Sequence, residues 1–459
     1  MQYVFEEVNS LDRRCYEEYG LSEDLLMEHA ASSMLNFIND NFKSNSKILI
    51  VAGAGNNGAD GIALARLMQG NYKVKLYLPF GVHTEIGKLQ LKRAEFVGVK
   101  IVNKIKKADI VVDCLFGTGL NRDLSEKAIN IITQLNELKS YYKIACDIPS
   151  GINNIGQVNQ IAFKADTTIT MGALKKSLYT DEAKNFTGEI KVANLGIQRE
   201  LYETKSLCNL LDVDDLKLPF REAMSTHKGD FGHLAVVVGQ KDGAGLIACE
   251  SAFSFGVGLI TAITKHTNIP KSIMSSLELP DNTSAIAIGM GLGDDYDKTI
   301  LQNDIAKVID ADMFYDDEVL NLLDKDNVVL TPHPKEFVNL LKLTNIADIS
   351  VSELQQNRFK YLSIFCSKFP NTVLLLKGSN VLIGQNDKIF INPLGSSALS
   401  FGGSGDILSG LIGSLLAQRY NSLDAAINGS LTHTIAALNY DKNDYSMTPN
   451  DLINEIKSI

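Results

Sequence analysis

Short, almost unbroken apolar runs alternate with helical patterns along this chain, and they do so in two separate series. In the first, residues 47–53, 74–78, 110–113, 144–147 and 167–170 read as strands, and residues 61–68 as a helix opened by a glycine-rich turn. Strands without polar alternation are covered on both faces, which is the condition of a parallel sheet flanked by helices. The first fifty residues are read as helical. Val8, Leu11, Cys15 and Tyr19 fall near helical spacing, as do Leu26, Ala30, Ser33, Phe37 and Asn41; Gly20 separates the two helices and Ser22 caps the second.

The alternation breaks over residues 198–226, a charged stretch with no strong strand, and then resumes. Strands are expected at 233–238, 259–264, 285–289, 308–309, 328–331 and 372–376, and helices at 244–255, 351–367, 406–417 and 423–438. At 459 residues the chain is too long for one ordinary core. The expectation is two α/β domains, 1–205 and 206–459, the first a doubly wound sheet.

Composition narrows the function classes. A formal charge of −10 argues against a protein that coats nucleic acid or anionic membrane. The six cysteines, at 15, 114, 146, 208, 249 and 366, form no CxxC pair and read as reduced, buried thiols. The start MQYVFEEVNSLDRR has early acids and no apolar core of a signal peptide. No run of about 18 apolar residues occurs. A cytoplasmic location, with small molecules as partners, is expected.

In the first half, GAGNNGADG at 53–61 follows a strand and precedes a helix, where backbone amides and the helix N-terminus favour phosphate. It is neither a P-loop nor a clean GxGxxG. Asn56, Asn57 and Asp60 add directed polar groups that a plain turn does not need. Asp113 ends one strand and is followed by the loop FGTG at 116–119; Asp147 ends the next, followed by Pro149, Ser150 and Gly151. Ligands of open parallel sheets sit beyond the carboxyl ends of strands, so these three ends make one candidate site. Oxygen ligands from Asn57, Asp113 and Ser150 suit a hard, weakly held cation.

In the second half, GGSGD at 402–406 leads into an apolar helix. Successive amides at such a turn form an anion hole, and Asp406 at the helix start can take a proton from an attacking hydroxyl. Lys377, ending a strand, makes a lip for a nucleotide. His333 is held between Pro332 and Pro334, Gly289 to Gly293 allow close backbone approach, and Asp310 with Asp312 suit either magnesium or capping.

In this order these motifs resemble the bifunctional NAD(P)H-hydrate repair enzymes, over nearly the whole chain. The resemblance rests on Leu26-Met-Glu28, GAGNNGADG, DCLFGTG and DIPSG, then on His227-Lys-Gly229, GMGLG, IDAD, TPHPKEF, LLLKG and GGSGD. It implies a Rossmann-like epimerase domain followed by a ribokinase-like dehydratase domain driven by ADP or ATP with Mg2+. In the first domain it implies substrate contacts from Asn56, Asn57, Gly58, Ala59, Asp60, Gly117, Thr118, Gly119, Leu120, Asn121, Arg122, Asp123 and Asp147. It also implies K+ held by Asn57, Asp113 and Ser150. In the second it implies substrate contacts from Ala244, Gly293, His333 and Asp406, and nucleotide contacts from Lys377, Gly378, Ser379, Asn380, Val381 and Gly405. Asp406 and Asp147 are the candidate catalytic acids, and a homo-oligomer is expected. Ala59 and Lys335 stand where the family commonly has glycine, and Ser400-Phe401 where it has Ala-Thr. GGSGD alone does not separate a small-molecule kinase from an enzyme that phosphorylates and then eliminates.

Overall fold

The computed structural model describes residues 1–459 other than Asn121 and Asn159. Two compact units are present, Tyr3–Ser206 and Leu207–Ile459, the latter with Met1–Gln2.

The first unit contains β1 (Gln2–Phe5), β2 (Lys47–Ala52), β3 (Lys73–Tyr77), β4 (Lys100–Val102), β5 (Ile110–Cys114), β6 (Tyr142–Cys146), β7 (Thr167–Met171), β8 (Leu174–Lys175) and β9 (Glu189–Ala193). Seven of these form a sheet in the order β4-β3-β2-β5-β6-β7-β9, parallel throughout. Within β2, Ile48, Ile50 and Ala52 enter the core under the helix Asn56–Met68, while Leu49 and Val51 enter the core under Glu126–Glu137. Both faces are therefore buried, which is why the strand shows no polar alternation. The chain leaves β2 toward β3 and β4, then returns to place β5 on the other side. The switch point, where ligands collect in such sheets, lies between the ends of β2 and β5.

The second unit holds β10 (Cys208–Leu210), β11 (His233–Val237), β12 (Leu259–Ile263), β13 (Met274–Ser276), β14 (Ala285–Ile288), β15 (Ala306–Ile309), β16 (Val328–Leu330), β17 (Val373–Leu376), β18 (Val381–Gln385) and β19 (Lys388–Asn392). Their order is β13-β12-β11-β14-β15-β16-β17-β18-β19-β10, parallel from β13 to β17 and then antiparallel through the β18 hairpin. Here the switch point lies between β11 and β14. The helices Asp242–Ser254, Ser404–Ala417 and Ser422–Asn439 supply much of the largest core.

Several expectations need correction. The helix expected at 61–68 begins at Asn56, because Gly58 and Gly61 pack closely on Gly53 and Cys114 and this fixes the turn despite their low helix propensity, so Asn56, Asn57 and Asp60 stand on its first turns. The helix expected from 406 begins at Ser404. The helix expected over 351–367 breaks at Asn357 into Val351–Gln356 and Arg358–Lys368. The stretch read as lacking a strand carries β10, which gains its place by parallel pairing with β19, a partner remote in sequence. Likewise β1 is fixed by β8. Ser22 caps its helix as expected, accepting from the Leu25 amide. All six cysteines are free and buried. Among the described residues, no helix is long and apolar enough to cross a membrane.

Candidate functional sites

At the first switch point two loops touch backbone to backbone. Gly53 follows β2, and a Cβ there would lie 1.8 Å from the Leu115 carbonyl oxygen; a Cβ on Gly58 would lie 2.0 Å from the Gly53 carbonyl oxygen. This contact seats Asn57 beside Gly117, whose own Cβ would stand 3.3 Å from that of Asn57 and 3.6 Å from Asp147 Oδ2. Asn57, the 116–119 loop and Asp147 therefore converge. Both polar atoms of the Asn57 amide are buried with no hydrogen-bond partner. Leaving such an amide unpaired costs about 1–3 kcal/mol, so its setting is that of a group awaiting a ligand.

Asp113 is fully buried and accepts from Leu115 N (3.1 Å), Ser150 N (2.8 Å) and Ser150 Oγ (2.7 Å). Burial pushes its pKa up to about 6 against these bonds. Ser150 Oγ also accepts from Phe116 N at 2.9 Å, tying the 116–119 loop to β6. Asn56 donates to Glu23 at 2.8 Å. Ala59 is buried in the core, so its methyl group stays clear of the loop. Thr118 is half-buried and Leu120 buried, while Gly119, Arg122 and Asp123 are exposed. Asn121 lies outside the described residues.

Asp147 adopts φ +67°, an uncommon backbone for this residue, and turns its carboxylate back over β7. Its partner is Lys175, which sequence reasoning missed. Lys175 stands in an ordinary Lys175-Lys176 pair, so the sequence carried no signal that it is buried. Asp12 and Tyr202, bonded at 2.8 Å, stand in the same electrostatic neighbourhood and were missed as well. Burial first, then the charges of Asp147 and Asp12, push Asp60 well above the usual carboxylate range.

In the second unit, the glycines after β14 and β11 again permit close approach. A Cβ on Gly289 would stand 1.8 Å from the Asp310 carbonyl oxygen, and one on Gly239 would stand 2.1 Å from that of Leu292. Ala244 faces Gly291, and Gly293 packs on Gln240. Beside them opens a cleft of about 930 Å³ lined by Gln240, Lys241, Gly293, Tyr296, Asp312 and Tyr315, among others.

Gly403, at φ +101°, starts the helix Ser404–Ala417 without any side-chain cap, so its first amides are free for an anion. A Cβ on Gly405 would come 3.2 Å from Lys377 Nζ and 3.9 Å from Asp310 Oδ2. Lys377 is thus at the anion hole. Its Nζ is 2.6 Å from Asp310 Oδ1, which also accepts from Ala311 N (2.9 Å), while Asp310 Oδ2 accepts from Ser409 Oγ (2.6 Å). Of the two roles open to Asp310, the structure shows the cap and a clamp on Lys377. Its oxygens are committed, and Asp312 accepts from Gly293 N at 3.1 Å. The described residues offer no group of three or more His, Cys, Asp or Glu side chains that could hold a metal. Burial, then the Asp310 charge, push Asp406 up to about 6.

His333 caps the helix Pro334–Leu343 through Nδ1, which accepts from Lys335 N (3.1 Å) and Glu336 N (3.2 Å). Its Nε2 lies 3.0 Å from Glu336 Oε1. Burial and the nearby Lys377 lower the pKa of His333, and burial raises that of Glu336 to about 7. The turn from Lys377 to Val381 is held by buried Arg358, which donates to Leu376 O (3.1 Å), Lys377 O (3.0 Å) and Asn380 O (2.9 Å). Gly378 fits against that guanidinium, where a Cβ would meet Nη2 at 2.4 Å. Ser379 is exposed and Asn380 buried. Arg358 was invisible to motif reasoning because it lies on a helix remote from the turn.

The topology and the two sites define a two-unit α/β enzyme, each unit with its ligand groups beyond the switch point of a parallel sheet. Residues 234–458 match the family described as NAD(P)H-hydrate dehydratase, and residues 23–177 the YjeF-related protein N-terminus. The bifunctional NAD(P)H-hydrate repair enzyme of Helicobacter pylori is 44% identical over 100% of both chains. That of Coxiella burnetii is 33% identical over 95% of this chain and 94% of its own. The ADP/ATP-dependent NAD(P)H-hydrate dehydratase of Bacillus subtilis, co-crystallised with ATP/Mg2+, is 25% identical over 52% of this chain and 92% of its own, with a TM-score of 0.44. The chain belongs to the bifunctional NAD(P)H-hydrate repair enzymes.

Proposed function

We propose that this protein repairs hydrated NADH and NADPH in two steps, one in each unit. The observation that carries the reading is the second site: a carboxylate, Asp406, on the first turn of an uncapped helix, beside a lysine at the same anion hole. The substrate carries a hydroxyl on C6 of the reduced ring, and hydroxide is a poor leaving group. Asp406 takes the hydroxyl proton as the oxygen attacks the terminal phosphoryl of ADP or ATP. The amides of Gly403 to Gly405 and the Lys377 ammonium hold the developing charge. The ring nitrogen expels the phosphate, and loss of a C5 proton restores the reduced cofactor. Ala244, Gly293 and His333 contact the substrate; Lys377, Gly378, Ser379, Asn380, Val381 and Gly405 contact the nucleotide. Mg2+ would enter with the bound nucleotide, and Asp310 and Asp312 would meet it through water. Because Asp406 acts as a carboxylate, dehydration falls as pH drops through about 6, approaching tenfold per unit below it. A flat kcat profile from pH 5 to 8 would contradict this.

The first unit interconverts the R and S epimers at C6, with Asp147 moving the hydroxyl proton and the helix start Asn56 to Asp60, together with residues Gly117 to Asp123, holding the nucleotide. The unpaired, buried Asn57 amide at the Gly117 loop, which Ser150 ties to Asp113, fits K+. Asn57, Asp113 and Ser150 would hold it, and it would supply a fixed positive charge near the substrate phosphates. Ser150→Ala removes the hydroxyl bonded to Asp113 and to the Phe116 amide. Its expected result is an epimerisation rate about tenfold lower at low KCl, recovered in part by raising KCl. A KCl dependence identical to wild type would remove Ser150 from this role.

A further inference from the structure

Resting on the reading of Asp147 as the epimerase acid/base, we infer that Lys175 is its positioning residue, fixing one carboxylate oxygen so that the other meets the substrate. Lys175 is 1% exposed, a rare burial for a lysine without a task. Its Nζ lies 2.6 Å from Asp147 Oδ1, 2.7 Å from Thr170 Oγ1 and 3.2 Å from the Met171 carbonyl oxygen, so its three donors are all used. Oδ1 of Asp147 also accepts from the Met171 amide (3.1 Å) and Thr170 Oγ1 (3.4 Å). Oδ2 has no hydrogen-bond partner among the described residues and faces the loop at Gly117, beside the unpaired Asn57 amide.

One oxygen is thus saturated and the other is aimed at the place where the ligand loops meet. The left-handed backbone of Asp147 needs such an anchor, since φ +67° is otherwise unfavourable for a residue with a Cβ. The setting is also rich in acid: Asp12 and Glu23 from the first two helices and Asp60 from the helix Asn56–Met68 all act on this region, with the Tyr202 hydroxyl committed to Asp12. An uncompensated carboxylate at Asp147 would face these charges, and the Lys175 ammonium is the group that offsets them.

The test uses the full chain and two variants. Lys175→Ala leaves a cavity shaped for n-propylammonium; Lys175→Met fills the same volume without charge. Epimerisation is followed from pure R substrate, with rates normalised to folded protein. Both variants are expected to lose about 100-fold in kcat with KM changed less than about threefold. Added n-propylammonium restores at least tenfold to the alanine variant and nothing to the methionine variant, while tetramethylammonium at equal ionic strength restores neither. Methionine-variant rates within about threefold of wild type, or a defect confined to KM, would overturn the inference; so would an alanine variant that folds but is not rescued. If the alanine variant does not fold, the methionine variant decides alone. Asp147→Asn, run in parallel, separates the two ideas: epimerisation surviving in that variant removes the reading beneath, whereas its loss with an active Lys175→Met removes only the role of Lys175.

Discussion

Asp406→Asn is expected to lower nucleotide-dependent dehydration by about a thousandfold, the range of a lost general base. Epimerisation, which depends on the other unit's residues, continues. The same change is expected to raise the melting temperature. Burial lifts Asp406 from the usual carboxylate range to about 6 in the folded chain. A raised carboxylate contributes stability below about pH 4 that is lost as pH rises through about 6. At neutral pH the ionised group therefore destabilises the fold, and an amide of the same shape removes that cost. Slower turnover with a higher melting temperature at pH 7.5, and a smaller gain at pH 5, is the signature of a group held for chemistry rather than for stability. Dehydration at near wild-type rate would remove Asp406 from the proposed role.

Gly53→Ala carries the second large effect. Its Cβ would lie 1.8 Å from the Leu115 carbonyl oxygen, inside any allowed contact, and the atom it meets is backbone. The loops after β2 and β5 must then separate by more than an ångström. Asn57 and Gly117 lose their register, and a displacement of that size costs on the order of 100-fold in rate. A stability loss of about 3 kcal/mol or more accompanies it, in the range for a strained, overpacked core. The measurements are epimerase rate and chemical denaturation. A variant with wild-type rate and midpoint would show that the two loops are not coupled.

Much of this was legible in the sequence where chemistry and local pattern coincide. The strands β2, β5, β6, β11, β14 and β15 announce themselves as apolar runs ending in glycine or aspartate, and GGSGD marks its own helix, whereas β4, β8, β9 and β13 lie outside every expected strand. Elements stabilised mainly by distant partners were hidden: β1 and β10 are short strands whose place depends on β8 and β19. Helix starts were read late at both glycine-rich turns, because glycine lowers intrinsic helix propensity while these turns are fixed by close packing. Among site groups, the glycines and acids at strand ends could be found by motif. Lys175 and Arg358 could not, since each acts through backbone or side-chain geometry created by the fold. Asp310 shows the remaining ambiguity: sequence allowed magnesium or capping, and the structure shows the cap together with bonds to Lys377 and Ser409.

The most direct test of the central claim is recovery of the reduced-nicotinamide absorbance from a mixture of R and S hydrated NADH, with ADP and with ATP in separate runs. The wild-type chain is predicted to restore the absorbance of both epimers, with inorganic phosphate released in equal amount and no phosphorylated nicotinamide nucleotide remaining. Asp147→Asn should stop at the S fraction plus slow spontaneous epimerisation. Nucleotide consumption with a stable phosphorylated product and no gain in absorbance would contradict the account, and would make the second unit a small-molecule kinase.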